Sequence, residues 1–117
     1  MLSPPVLDSC ILNEIRAIGG SDVLYRRILD LFASRAPSII DKVESLRDSS
    51  DLASLADAAH ALKSLCANIG ARRAAAACDD LEHAARNGEP LEAGEKIGAI
   101  AAEMFAVMIE VERLRAA

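Results

Sequence analysis

The sequence predicts an all-α protein: an antiparallel up-down four-helix bundle with a short additional N-terminal helix. Three observations carry that prediction. Apolar residues recur at steps of three and four along most of the chain and nowhere alternate as in a strand. Hydrophobic residues make up 52% of the 117 residues while aromatics make up only 3%, with no Trp, so alanine and leucine supply the core. Short polar or glycine-containing turns separate the periodic segments. The length suits a single domain over residues 1–117, large enough for a real core and too small for a two-domain enzyme.

Each element follows from local signals. Pro4-Pro5 makes an extended lead-in, and Asp8 or Ser9 caps a short helix with Leu7, Ile11, Ile15 and Ile18 on one side. Gly19-Gly20 stops it. Ser21 or Asp22 opens a second helix carrying Leu24, Ile28, Leu31, Ile39, Val43 and Leu46. Pro37 removes one backbone donor inside it, which predicts a kinked single element in preference to two helices. After the polar turn Asp48-Ser49-Ser50-Asp51, Ser50 or Asp51 caps a third helix with the stripe Leu52, Leu55, Ala59, Leu62, Cys66 and Ile69. Gly70 supplies a left-handed end. The next helix begins at Ala71 or Arg72, and so short a connection forces an antiparallel hairpin.

The fourth helix, Arg72 to Arg86, packs through Ala74, Ala77, Cys78, Leu81 and Ala85, whose small side chains permit close approach. Asn87-Gly88-Glu89-Pro90 ends it. The last helix runs from about Leu91 to Leu114 on Ile97, Ile100, Ala101, Met104, Met108 and Val111. Gly94 and Gly98 weaken its first turns by about 1 kcal/mol each against alanine, in service of packing or of a loose end.

Composition excludes several functions. The formal net charge is -5 and the basic residues are not clustered with aromatics, so no nucleic-acid partner is expected. No apolar run approaches the roughly 20 residues that cross a bilayer. Met1-Leu2-Ser3-Pro4-Pro5 lacks the basic start and apolar middle of a signal peptide. A soluble, cytoplasmic protein without membrane contact is expected. Cys10, Cys66 and Cys78 are an odd, widely spaced set that reads as small thiols in a reducing compartment, with Cys66 and Cys78 buried. His60, Cys66, Cys78 and His83 fall on different helical faces and show no ligand spacing, so no metal is expected.

The candidate reactive group is His60. The apolar stripe of its helix passes beside it. Ala56, Asp57, Lys63, Ser64 and Ala67 share its face at helical spacing. Apart from Asp57 and Lys63 that face is stripped of bulk, and a small residue at Ser64 leaves the ring uncovered. A neutral imidazole is nucleophilic at one nitrogen. Lys63 lies within reach of anything attached to it, and a phosphoryl group, with about two negative charges, is what an ammonium would stabilise. No second base, oxyanion hole, P-loop or kinase signature is present. The chain has no means of binding ATP and no kinase activity of its own; it would receive a phosphoryl group from one protein and give it to another.

Ala59 to Gly70 closely resembles the phosphoacceptor helix of histidine-containing phosphotransfer (HPt) domains. That family shows His, a variable residue, Leu, Lys and a small residue, often followed by Ser-Ala-Asn-hydrophobic-Gly-Ala. Here His60, Leu62, Lys63, Ser64, Ala67, Asn68, Ile69, Gly70 and Ala71 stand in that pattern. Cys78-Asp79-Asp80-Leu81-Glu82 is similar to the family's Cys-x-x-Leu-Glu on the second hairpin helix. Ser64 departs from the commoner glycine, and its hydroxyl has no assigned role. The resemblance implies a relay in which His60 is the phosphoacceptor and Lys63 its electrostatic partner. Ser64 is the small neighbour, Gly70 is the structural hairpin turn, and Asn68 orders the helix end. It implies response-regulator receiver domains or a hybrid sensor histidine kinase as partners. They would dock near His60, with Ala56, Asp57, Ser64 and Ala67 as candidate contact residues. It implies no cofactor on this chain, Mg²⁺ on the receiver, and a monomer.

The remaining charged residues have plainer readings. His83 suits a helix C-terminus as a solvated or structural cation. Asp79, Asp80, Glu82 and Arg86 read as a solvated face, and Met104 and Met108 as core. Two other functions fit the residues: a helical module that docks a receiver without phosphotransfer, and a subunit that oligomerises through its alanine-rich face.

Overall fold

A computed structural model describes residues 4–117 and shows five helices, several of whose ends are set by side-chain caps and left-handed glycines; Met1–Ser3 of the leader lie outside it. The helices are α1 (Ser9–Gly19), α2 (Val23–Ser45), α3 (Leu52–Asn68), α4 (Arg72–Arg86) and α5 (Pro90–Ala116). No strand occurs among the described residues. Asp8 caps α1 by accepting from the Cys10 amide at 2.9 Å, and Gly20 closes it at φ 64°. Asp51 caps α3, accepting from the Ser54 amide at 3.0 Å and its hydroxyl at 2.6 Å. Those bonds hold the Asp51 carboxyl below the usual carboxylate range. Gly70 and Gly88, at φ 75° and 70°, form the two turns that flank α4.

α2 runs through Pro37 as one helix, as the sequence reading favoured, and the proline ring sits on its exposed side. The phase of its apolar face differs from expectation. Tyr25, Leu29, Phe32, Ala36 and Val43 are buried, whereas Leu24 and Ile28 are half-buried and Leu31 is exposed. In Leu24-Tyr25-…-Ile28-Leu29-…-Leu31-Phe32 adjacent positions are both apolar, so two stripes fit the sequence equally, and the bundle takes the one carrying the rings. In α1 the buried residue is Leu12, and Ile18 is 77% exposed. In α5 Ala93, Ile97, Ile100, Met104, Val107 and Val111 face the core. Ala101 is exposed and Met108 only half-buried. A Cβ at Gly94 or Gly98 meets nothing within 4 Å, so neither glycine serves packing inside the chain.

Two features position α3. Its contact with α4 is the most extensive in the bundle, and Ala56 and Ala59 on α3 and Ala74 and Ala85 on α4 are all buried. Cys66 and Cys78 lie buried in the same layer as free thiols, while Cys10 is exposed. Cys66 Sγ is 3.6 Å from Met104 Sδ on α5. The turn after α3 is also braced from outside. The Asp8 amide donates to the Gly70 carbonyl at 2.8 Å, and the Arg72 guanidinium pairs with the Asp8 carboxylate at 2.8 Å.

Candidate functional site

His60 sits near the middle of α3 with its side chain 56% exposed. One step round the helix, Ala59 is fully buried against the core. The ring therefore stands on the shoulder of the α3–α4 seam, and α4 supplies what lies beneath it. Glu82 on α4 is 11% exposed at its side chain, with Oε2 and Oε1 at 3.1 and 3.2 Å from His60 Nδ1. Lys63, one turn after His60, donates from Nζ to Glu82 Oε1 and Asp79 Oδ1, both at 3.0 Å. Arg86, one turn after Glu82, donates from Nε to Glu82 Oε2 at 3.1 Å, and its Nη2 is ion-paired with the same oxygen at 3.0 Å. The same Nη2 lies 3.5 Å from Asp57 Oδ1.

One carboxylate thus serves three donors. The Lys63 hydrogen bond is the largest influence on it; burial opposes, and His60 and Arg86 reinforce, so the Glu82 carboxyl is pulled down to about 2. Lys63 is in turn held above the ordinary lysine range by Glu82 first and Asp79 second. An ionised carboxylate only accepts hydrogen bonds. The ring nitrogen facing it must therefore carry the proton, and a neutral His60 is the Nδ1–H tautomer with its lone pair on Nε2. Among the described residues no hydrogen-bond partner engages Nε2. The arrangement holds a fixed imidazole with its nucleophilic atom turned outward and two cations, Lys63 and Arg86, on either side of the carboxylate below.

The sequence-based candidates divide. Asp57, Ser64 and Ala67 are exposed on the His60 face, joined by Ala61 and Asn68. Ser64 Oγ donates to the His60 carbonyl at 3.2 Å, so its hydroxyl is absorbed by the helix backbone. Ala56 is a correction: it is fully buried, because α4 covers that side of the helix, and it cannot touch a partner. Gly70 makes the hairpin turn as expected. His83 is exposed, with Nδ1 donating to the Asp79 carbonyl at 2.9 Å. Glu82 overturns the solvated-face reading. Its signal was present, since Cys78, Leu81, Glu82 and Ala85 lie on one stripe and Glu82 is the acid among apolar neighbours. Among the described residues no three His, Cys, Asp or Glu side chains gather as a metal site. No described helix is long and apolar enough to cross a membrane.

The family model for the Hpt domain matches residues 27–117, from within α2 to the end of the chain. This chain belongs to the Hpt domain family. The Hpt assignment agrees with the solved structures. Histidine-containing phosphotransfer protein B (HptB) from Pseudomonas aeruginosa PAO1 superposes with a TM-score of 0.87 at 27% identity, over 97% of each chain. A putative histidine-containing phosphotransfer protein from rice matches with a TM-score of 0.75 at 14% identity, over 96% of this chain and 85% of that one. The maize phosphotransfer protein ZmHP2 gives 0.74 at 19% identity, over 93% and 86%. The two plant structures share the Hpt bundle fold. Comparison with the curated proteins finds no match. A phosphorelay carrier is the role that the Hpt family and the HptB structure support.

Proposed function

We propose that His60 is the phosphoacceptor of this Hpt domain. It takes the group from the aspartyl phosphate of one response-regulator receiver and yields it to the aspartate of another. The observation that carries this reading is the engagement of Nδ1 by ionised Glu82 at 3.1 Å while the ring stays more than half exposed. The lone pair of Nε2 attacks phosphorus, and the P–O bond to the receiver carboxylate breaks. Lys63 is bound to Glu82 and Asp79 before transfer. An incoming phosphoryl group competes for its ammonium, which then stabilises the charge on the transferring oxygens. On this reading Mg²⁺ belongs to the receiver.

The docking face is small-featured. Asp57, Ala61, Ser64, Ala67 and Asn68 surround the ring and leave room for a convex partner. An apolar groove lined by Ile15, Ile28, Leu31, Leu65 and Asn68 runs beside the same helix and offers a receiver an apolar footing next to a charged rim. The test is incubation with a phosphorylated receiver and Mg²⁺. Label should appear on His60 as an acid-labile, alkali-stable adduct, and His60→Gln should stay folded and take none. A variant that labels as well as the parent overturns the assignment. A receiver that binds while His60 takes no label favours a docking module.

A further inference from the structure

The outer face of α5 carries an apolar strip that nothing among the described residues covers. Leu91, Gly94, Gly98, Ala102, Phe105 and Ile109 recur at steps of three and four, so they share one side of the helix, opposite the side that faces the core. Leu91 is 87% exposed, Phe105 72% and Ile109 52%. The chain's other phenylalanine, Phe32, is buried. A contiguous exposed apolar row with an aromatic ring in it marks an interaction surface. The glycines beside the ring have no purpose within the chain. Each costs helix stability against alanine, and a Cβ at either would meet nothing within 4 Å. We propose that this strip is a self-association face, on which α5 of a second copy lies antiparallel, with Phe105 of each copy seated over Gly98 of the other. Nothing in it depends on the reading of His60 as the phosphoacceptor.

Two observations select a second copy as the occupant. The strip is complementary to its own reverse. Gly94 and Ile109 lie equally far from a midpoint beside Ala102, and so do Gly98 and Phe105. Turning one helix end for end about that midpoint sets each bulky residue on a glycine, where two backbones can approach closely and the ring finds room. The charges reverse in the same sense. Glu92 and Glu95, near the start of α5, have no cationic partner among the described residues. Arg113, near its end, is 67% exposed and paired with Glu110 of its own helix. The antiparallel arrangement brings Arg113 of one copy beside those carboxylates of the other, whereas a parallel one would set like charges together. The position of the face suits a phosphotransfer domain. α5 packs on α4 and α2, and the same two helices flank α3, so α5 stands diagonally across the bundle from the His60 helix. Pairing through α5 therefore leaves both His60 rings open, one on each far side of the dimer. Between Leu91 and Ile109 the strip is roughly 27 Å long and about 10 Å wide. That is well under the about 800 Å² per partner of a standard interface, so the dimer is weak and forms at high protein concentration, with the expected monomer below it.

Sedimentation equilibrium of the full chain is the test. The mass should rise from 12.4 kDa at low concentration toward twice that value at 1 mM, with a midpoint on the order of 100 µM. A parent that keeps the lower mass throughout overturns the proposal and leaves the face to a different protein. Phe105→Glu should stay monomeric at 1 mM with unchanged circular dichroism, and a folded variant that still dimerises overturns it as well. Gly98→Leu separates a seated ring from a merely apolar surface. It enlarges the strip and favours the helix, yet it fills the notch and should weaken association by about tenfold. Equal or tighter association overturns the seating of Phe105 on Gly98. Direction is read by cysteine pairing in a Cys10→Ala background. Ala102→Cys should form a disulfide-linked dimer on mild oxidation, and Leu91→Cys should not, because antiparallel helices hold its two copies far apart. Linkage through Leu91→Cys overturns the antiparallel order. Receiver-dependent labelling of His60 should be the same in the parent and in Phe105→Glu, so failure of that labelling and failure of self-association are told apart.

Discussion

A Cβ built on Gly70 would lie 3.0 Å from the carbonyl oxygen of Asp8, so the turn after α3 and the head of α1 meet at a point that admits only a hydrogen. The φ of 75° at Gly70 is costly for any other residue. Gly70→Ala should combine both penalties and lower stability by roughly 2–3 kcal/mol. Urea unfolding of the two proteins checks this, with an unchanged midpoint counting against the tight contact. Because α1 and the Arg72–Asp8 pair brace the same turn, the variant should also lose amide-exchange protection at the end of α3 before the rest of the bundle does.

Acid should weaken the fold through Glu82. Its carboxyl is pulled from 4.5 to about 2 in the folded chain. A carboxylate with a depressed folded value stabilises the protein fully above its unfolded value, and that stabilisation is lost as pH falls from 4.5 toward 2. Unfolding free energies measured at pH 6, 4 and 2.5 should fall across that window by an amount on the order of 2 kcal/mol. The slope should be shallower in Glu82→Gln, and parallel curves would show that the carboxylate is not held as its three donors imply.

Lys63→Ala should slow phosphoryl acceptance by roughly a hundredfold, the lower end of the range expected for losing one charge-stabilising donor. Lys63 is the strongest donor to the shielded Glu82 carboxylate, so its loss should lower stability measurably, while Arg86 and His60 keep the acid partnered and the fold intact. Single-turnover labelling measured beside circular dichroism separates the two effects. Unchanged kinetics in a folded variant would remove the ammonium from the chemistry.

The thiols should report the packing of the hairpin. Cys10 is exposed while Cys66 and Cys78 are buried. The neighbouring Cys78 sulfur and burial both push the Cys66 thiol up, away from the reactive thiolate. A thiol reagent at neutral pH should modify one cysteine rapidly in the folded protein and all three in urea. Rapid native modification of two or three would mean that the α3–α4 layer opens.

The legibility of this chain followed physical locality. Caps and turns depend on a few adjacent residues, and Asp8, Gly20, Asp51, Gly70 and Gly88 stand where their residue types place them. His60 was legible because its own helix leaves it off the stripe. What a single helix cannot reveal is which neighbour covers its flanks. Ala56 shares the His60 face on an isolated helix, yet α4 buries it. Glu82 looks solvated among Asp79, Asp80 and Arg86 until the register of the hairpin sets it beneath the imidazole. The phase of α2 was ambiguous for a different reason, because Leu24-Tyr25 and Leu31-Phe32 offer two apolar stripes one step apart.

The buried alanines of α3 and α4 do more than fill space. Ala56, Ala59, Ala74 and Ala85 are buried and small enough to let two backbones close up, and close spacing together with the hairpin register brings a carboxylate on one helix to a ring on the other. A bulkier side chain at a buried alanine of either helix would have to push its neighbours apart, and the acid and the imidazole would be strained with no polar residue changed. The contact between ring and carboxylate therefore depends in part on residues that carry no polar group at all, and an inventory of polar side chains would never find them.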